Sequence, residues 1–313
     1  MATAEMIQET TSRQPAIGDI VALVSGALIL IAYLIFPLRS DGGATGFGFL
    51  DSTTTFPALT LIVGVSALVA ALVNITSLRE QAARWYFLGL GILGLLFTID
   101  NALRGKAGLA LGGSLAALAC LLLIVQVVLP RPGYLSHATG TQVAFALFRV
   151  LVATLWFTQI LWKLPWNNFG CPPGSLVPAA GSSGLCDWIG REVAQPRWGV
   201  YKDFLTNIIT PNLGWMAILI VGGEMFVCFS LMIGGLTRLG ALVGFAMGIN
   251  LFIGLTGIPA EWDWTYLMLP LVNLLFVIVG GRYFGLDGFL LGRFSAAAER
   301  GNRLAALATR LVA

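Results

Sequence analysis

The chain has 313 residues, 57% of them hydrophobic and 11% charged, whereas a soluble domain carries about 25% charge, so most of its surface is solvated by lipid. A net charge of +3 without a basic run or an aromatic-interleaved patch excludes a nucleic-acid partner. One histidine, His137, and four cysteines without a C-x-x-C pair supply no ligand set for haem, an iron–sulfur cluster or structural zinc.

Residues 1–15 are polar and include Glu5 and Glu9, and the apolar run that follows is too long for the core of a cleavable signal. The region 17–37 is therefore expected to be a retained first span. Eight spans are readable in all, at 17–37, 56–77, 84–100, 107–129, 141–163, 212–233, 237–256 and 263–281. Each is expected to be a helix, because backbone exposed to lipid must satisfy its own hydrogen bonds. The fold class is thus all-α, a polytopic integral membrane protein.

In the first four spans the intramembrane polar groups are Tyr33, Ser66 and, at an outer end, Asp100, and Gly89, Gly91 and Gly94 are expected to allow close helix packing. Pro130-Arg131-Pro132-Gly133 then breaks the chain, with polar residues through Gln142. This predicts two four-helix halves, a domain of 1–133 and one of 141–291 with an outer loop at 164–211, followed by a basic amphipathic tail at 292–313. Arg13, Arg79, Arg84, Arg131, Arg238 and Arg282 fall on the side of the termini. Arg39, Arg104, Lys106 and Lys163 fall opposite. The balance favours both termini inside.

The fifth span carries Arg149, Trp156, Gln159 and Lys163, which fall within about 80° of arc on a 3.6-residue helix. The sixth holds Glu224 in a stretch from Trp215 to Leu236 without another charge. A charge at that depth costs a few kcal/mol and calls for a partner. Counted from the ends of their apolar runs, Arg149 and Glu224 both lie about 12–14 Å above the inner face, so they are expected to meet. Two readings stay open: a structural ion pair locking two helices, or the floor of a polar pocket opening outward past Trp156 and Gln159, with Lys163 at its mouth. Asn250 and Asn273, in the seventh and eighth spans, either join helices or face that pocket. Pro270 is expected to kink the eighth span and free a carbonyl near Tyr266. Tyr266 also belongs, with Trp262 and Trp264, to an outer aromatic belt.

Cys171 and Cys186 share the long loop on the outer, oxidising side. A structural disulfide is expected, worth about 3 kcal/mol; a redox-active thiol pair is the alternative. Tyr201, Phe204, Leu205, Ile208 and Ile209 recur at helical spacing and predict a short interfacial helix roofing the pocket. Cys120 and Cys228 lie inside spans and read as packing residues. In the tail, Leu304, Leu307 and Leu311 form a stripe flanked by Arg303 and Arg310, as in a helix lying on the membrane surface.

From about Phe148 to Leu291 the chain resembles the DoxX/DoxD family of four-helix membrane proteins. The resemblance rests on Arg149 followed by Phe157-Thr-Gln-Ile-Leu-Trp-Lys163, on Glu224-Met-Phe-Val-Cys-Phe-Ser-Leu-Met-Ile-Gly-Gly-Leu-Thr-Arg238, and on Gly280-Gly-Arg-Tyr-Phe-Gly-Leu-Asp287. It implies the membrane subunit of a thiosulfate:quinone oxidoreductase, with quinone as carrier, membrane lipid around it and further protein subunits beside it. On that implication Arg149 and Lys163 orient an anionic substrate or a quinone carbonyl, and Glu224 carries protons. Trp156, Gln159, Asn250, Tyr266 and Asn273 line the quinone site, and no metal takes part. The setting is then a bacterial or archaeal cytoplasmic membrane, both termini cytoplasmic. The competing reading is a non-catalytic accessory subunit of a larger respiratory or photosynthetic complex.

Overall fold

The computed structural model describes residues 14–37, 59–104, 109–259 and 261–312, apart from the side chains of 101, 104 and 310–312. The expectations for residues 1–13, for Arg39 and Lys106, for the first residues of the second and fourth spans, and for the side chains of Arg104, Arg310 and Leu311 lie outside the described residues. Among those described, the chain forms helices and no strand: α1 (Ile17–Ile35), α2 (Leu59–Val73, widened over Asn74–Leu78), α3 (Ala83–Arg104), α4 (Leu111–Val125), α5 (Gly140–Ile160, tightened over Leu161–Lys163), α6 (Gly184–Ala194), α7 (Gly199–Phe204), α8 (Leu213–Ile233), α9 (Thr237–Leu255), α10 (Asp263–Val279), α11 (Leu286–Glu299) and α12 (Arg303–Val312).

Seven helical segments among the described residues are long and apolar enough to cross a membrane: those built on α1 to α5, the stretch Gly199–Ile233 that ends in α8, and α9. The eighth expected span, α10, has 17 residues, at the short limit for a bilayer. Surface chemistry agrees with a lipid solvent. Leu96, Leu155, Ile218, Leu271 and Ile278 point outward, while Ala22, Ala67, Ala70, Ala116 and Ala119 are fully buried. Small residues at the contacts let helices approach in lipid, where apolar burial between them gains little. A Cβ on Gly91 would stand 2.8 Å from the Cys120 carbonyl oxygen, and one on Gly94 2.7 Å from Cys120 Sγ. This is a multi-pass membrane protein.

The helices pack as α1–α4 and as α5, α8, α9 and α10, and one apolar core runs through both groups. Ser66 Oγ on α2 donates to the Met232 carbonyl on α8 (3.1 Å), so the groups are also joined by a hydrogen bond. We call the side where α1 begins and α11 lies the terminal face, and the opposite side, which carries α6 and α7, the loop face. Leu304 and Leu307 of α12 are exposed, as a surface-lying helix requires.

The first group holds more buried polar chemistry than its sequence suggests. Near the terminal face Arg131 Nε donates to Asp19 Oδ1 (3.1 Å), Arg131 Nη2 to Gln126 Oε1 (2.5 Å), and Asn74 Nδ2 to Asp19 Oδ2 (2.9 Å). Asp19, Asn74 and Gln126 are fully buried. The network ties the start of α1 to the ends of α2 and α4, with each charge paired, as burial demands.

Candidate functional site

A capping box starts α5: the Gln142 N–H donates to Thr139 Oγ1 (3.4 Å) and the Thr139 N–H to Gln142 Oε1 (2.7 Å). Such reciprocal capping fixes the first turn. Gly89 of α3 packs against the side chain of Leu147, which sets α5 level with α3. On its other side α5 runs antiparallel to α8, in a register marked by the Cys228 thiol donating to the Ala153 carbonyl (3.5 Å).

That register separates the expected pair. Arg149 lies against Gly234, where α8 ends, ten residues along α8 from Glu224. Its Nη1 donates to the Gly281 carbonyl (2.5 Å) and, longer, to Tyr283 (3.4 Å); Nη2 donates to Phe284 (3.1 Å). Glu224 instead accepts a hydrogen bond from Lys163 through Oε1, within an almost wholly buried ion pair. The depth count placed the inner ends of the two helices on one plane. In the structure α8 stops about 15 Å short of the start of α5, because its turn into α9 is tucked inside the bundle and covered by the 281–287 segment. The same shift buries Lys163 beside Glu224 rather than leaving it at an outer mouth.

Around Arg149 the fit is tight. A Cβ on Gly234 would lie 2.3 Å from Arg149 Nη1, and one on Gly285 2.8 Å from it. Gly234 also has φ of 61°, a left-handed helix end that costs a glycine little. Asp287 accepts from the amides of Leu236 (2.7 Å) and Thr237 (2.9 Å), capping α9. The Tyr86 ring of α3 stacks on Phe284, centroids 5.1 Å apart. This terminal-face clamp accounts for Arg149, Gly234, Gly281 and Asp287 together.

The Lys163–Glu224 pair has a different character. Oε2 of Glu224 is buried without a hydrogen-bond partner. An ammonium has three donors, and Glu224 takes one. The ammonium also stands 4.8 Å from the centroid of the partly exposed Trp162 ring. One buried carboxylate oxygen and spare ammonium donors can hold a proton, a carbonyl or an anion.

The residues expected to line one pocket fall in separate places. Trp156 Nε1 donates to Asn273 Oδ1 (3.3 Å), and Asn273 Nδ2 to the Leu269 carbonyl (2.8 Å), so this buried pair joins α5 to α10. Gln159 is exposed and donates to Thr158 Oγ1 (3.2 Å), turned away from the ion pair. The Asn250 side-chain amide stands 3.3 Å from the Tyr201 hydroxyl oxygen near the loop-face end of α9, and Tyr266 donates to Glu261 Oε2 (2.6 Å) on the rim. Sharing a polar stripe on one helix did not make Trp156 and Gln159 share a neighbour, because α5 is contacted on several sides.

Over the pair sits the long loop. Cys171 and Cys186 are joined in a disulfide, and both sulfurs are buried in the core with Phe169, Leu185 and Ile189. The helix expected from the spacing of Tyr201 to Ile209 is present as α7 and runs on through a widened turn at Leu205–Ile209 toward α8. Within the loop Glu192 is buried, and Tyr201 OH donates to its Oε2 (2.8 Å). Burial pushes the Glu192 carboxyl up from its ordinary range to about 7, against the Tyr201 hydrogen bond that pulls it down. Sequence reasoning missed this acid. It stands among other polar loop residues, and only the close approach of Gly254, where a Cβ would meet the carboxyl carbon at 2.6 Å, shows that α9 buries it.

Residues 145–308, just over half of the chain, match the family model described as TQO small subunit DoxD. The chain belongs to the DoxD family. No curated protein and no solved structure matches it. The DoxD match takes in both cations of α5, Glu224, the disulfide loop and α11; α1–α4 precede it.

Proposed function

We propose that this DoxD-family membrane subunit passes electrons from an oxyanion of sulfur, thiosulfate-like, to a membrane quinone, and that Lys163 and Glu224 form its polar centre. The observation that carries the proposal is the buried Glu224 oxygen left without a partner beside an ammonium that retains donors. In the balanced reaction two thiosulfate ions join through a new S–S bond and lose two electrons. The quinone takes up those electrons and two protons. Lys163 would hold the anion or polarise the quinone carbonyl, and Glu224 would relay a proton through Oε2. A quinone ring fits the chemistry present: one donor, one proton carrier and the Trp162 face. Arg149 enters as the residue that positions the α8–α9 turn, not as a substrate ligand. The terminal face would be cytoplasmic, with soluble partner subunits bound to the complex.

The competing reading, a non-catalytic accessory subunit, is supported by the Trp156–Asn273 hydrogen bond, which uses the one indole N–H and commits that pair to a helix contact. The assay is thiosulfate-dependent reduction of a quinone analogue by gently purified complex. Activity is expected in wild type and a loss of about a hundredfold or more in Glu224→Gln, as for removal of a general acid–base. Activity unchanged in Glu224→Gln would refute the proton role. Inactive wild type within an intact larger complex would favour the accessory reading.

A further inference from the structure

The first turn of α3 and the start of α5 enclose a cavity of about 250 Å³ on the terminal face, lined by Gln81, Arg84, Trp85, Ser136 and Gly140. That is far more than the ~30 Å³ a water occupies in the liquid. Arg84 is the cation in it. Its Nε is buried and has no hydrogen-bond partner, and its guanidinium carbon stands 5.2 Å from the Trp85 ring centroid. The nearby acid is already engaged: Glu80 Oε2 accepts the amides of His137 (3.0 Å) and Ala138 (3.1 Å). The start of α5, a 21-residue helix, adds the positive end of its dipole.

Below the cavity runs an apolar track. From Trp85, the exposed side chains Ile92, Leu96, Ile99 and Leu103 recur on one face of α3. A free anion has no use for that track. A lipid uses both parts, with its phosphate at the membrane boundary and its chains along the helix, and tryptophan is favoured at that boundary. We propose that this cavity holds the phosphate of an anionic phospholipid whose acyl chains lie along the exposed face of α3.

The experiment is native mass spectrometry of the delipidated full chain titrated with phosphatidylglycerol, phosphatidylcholine and inorganic phosphate. One phosphatidylglycerol per chain is expected to bind in preference to phosphatidylcholine. Arg84→Gln is expected to weaken it at least about fivefold, and Arg84→Lys less. Ser136→Phe fills the cavity from an exposed position and leaves the charge in place; it too is expected to weaken binding. Equal affinity for phosphatidylcholine, or unchanged binding in Arg84→Gln, would overturn the proposal. Inorganic phosphate competing at equal affinity would make this a free-anion site. Weakening by Arg84→Gln but not by Ser136→Phe would put the lipid outside the cavity.

Discussion

Arg149 and Lys163 are two buried cations on one helix, fourteen residues apart, and the bundle treats them differently. Arg149 is surrounded by carbonyls of the 281–284 segment and by glycines that leave no room for a Cβ. Its planar fork matches several fixed acceptors, which an ammonium could not do. Lys163 meets one carboxylate, and that carboxylate keeps an oxygen unpartnered. Each site keeps one buried polar atom without a hydrogen-bond partner, Arg149 Nε in the first and Glu224 Oε2 in the second, but only a carboxylate oxygen can take up a proton. The kind of atom left over, rather than burial, distinguishes the two places, since both cations are buried.

The comparison breaks first at Gly234. Gly234→Val would drive a branched side chain into the Arg149 guanidinium and force a left-handed backbone on a residue that resists it. The expected outcome is loss of most folded protein, at least about 3 kcal/mol, read as yield and thermal midpoint in detergent. A well-folded Gly234→Val would show that the clamp is not rigid.

The second test is a double-mutant cycle. Lys163→Met or Glu224→Leu alone leaves an unpaired buried charge and should destabilise by about 3–5 kcal/mol. The two together should recover most of that stability. Quinone reduction should stay lost in the double variant if the pair is the working centre. Recovery of activity along with stability would reduce Lys163–Glu224 to a helix lock like the Asp19–Arg131 pair near α1.

The all-helical membrane fold was legible because length and apolar composition alone mark a span. The disulfide was legible from two cysteines in one loop expected to lie on the oxidising side. Glu224 stood out as the one charge in its apolar run, but its partner did not, because partner choice depends on how far one helix slides past another. Nothing in the apolar runs records that α8 ends at a turn buried inside the bundle. The signal that was present lay in the 280–287 segment: its glycines and Asp287 are the counterpart of Arg149 and Gly234, seen only once α10 returns them to the same face. Asp19 and Arg131 were hidden for a related reason, since each sits at a span end where a solvated charge is the ordinary expectation.

Third in size is the disulfide. Replacing Cys171 and Cys186 with alanine removes a crosslink spanning 15 residues and should cost about 3 kcal/mol. Because that loop covers the Lys163–Glu224 pair, the double variant should also lose quinone reduction, while leaving the Arg149 clamp intact by cysteine-independent proteolysis of the terminal face. A loop that protects equally well without the bond would detach it from the site.

The smallest effect concerns Glu192 and asks whether the loop face is also held by a proton. Its carboxyl titrates near 7 in the fold and at 4.5 as an ordinary glutamate, so the folded protein keeps the proton longer than the unfolded chain. Stability from this group is therefore complete below about pH 4.5 and declines as pH rises, levelling off above about 7. The decline is expected to be about 3 kcal/mol at most, seen as faster hydrogen exchange in α6 and α7 at pH 8 than at pH 5 after correction for intrinsic rates. Glu192→Gln keeps an acceptor for Tyr201 without the titration, so it should flatten the profile at the protected level. The Arg149 clamp should show no such dependence. If α6 and α7 exchange alike across that range in wild type, the neutral acid is not what holds the loop against α9.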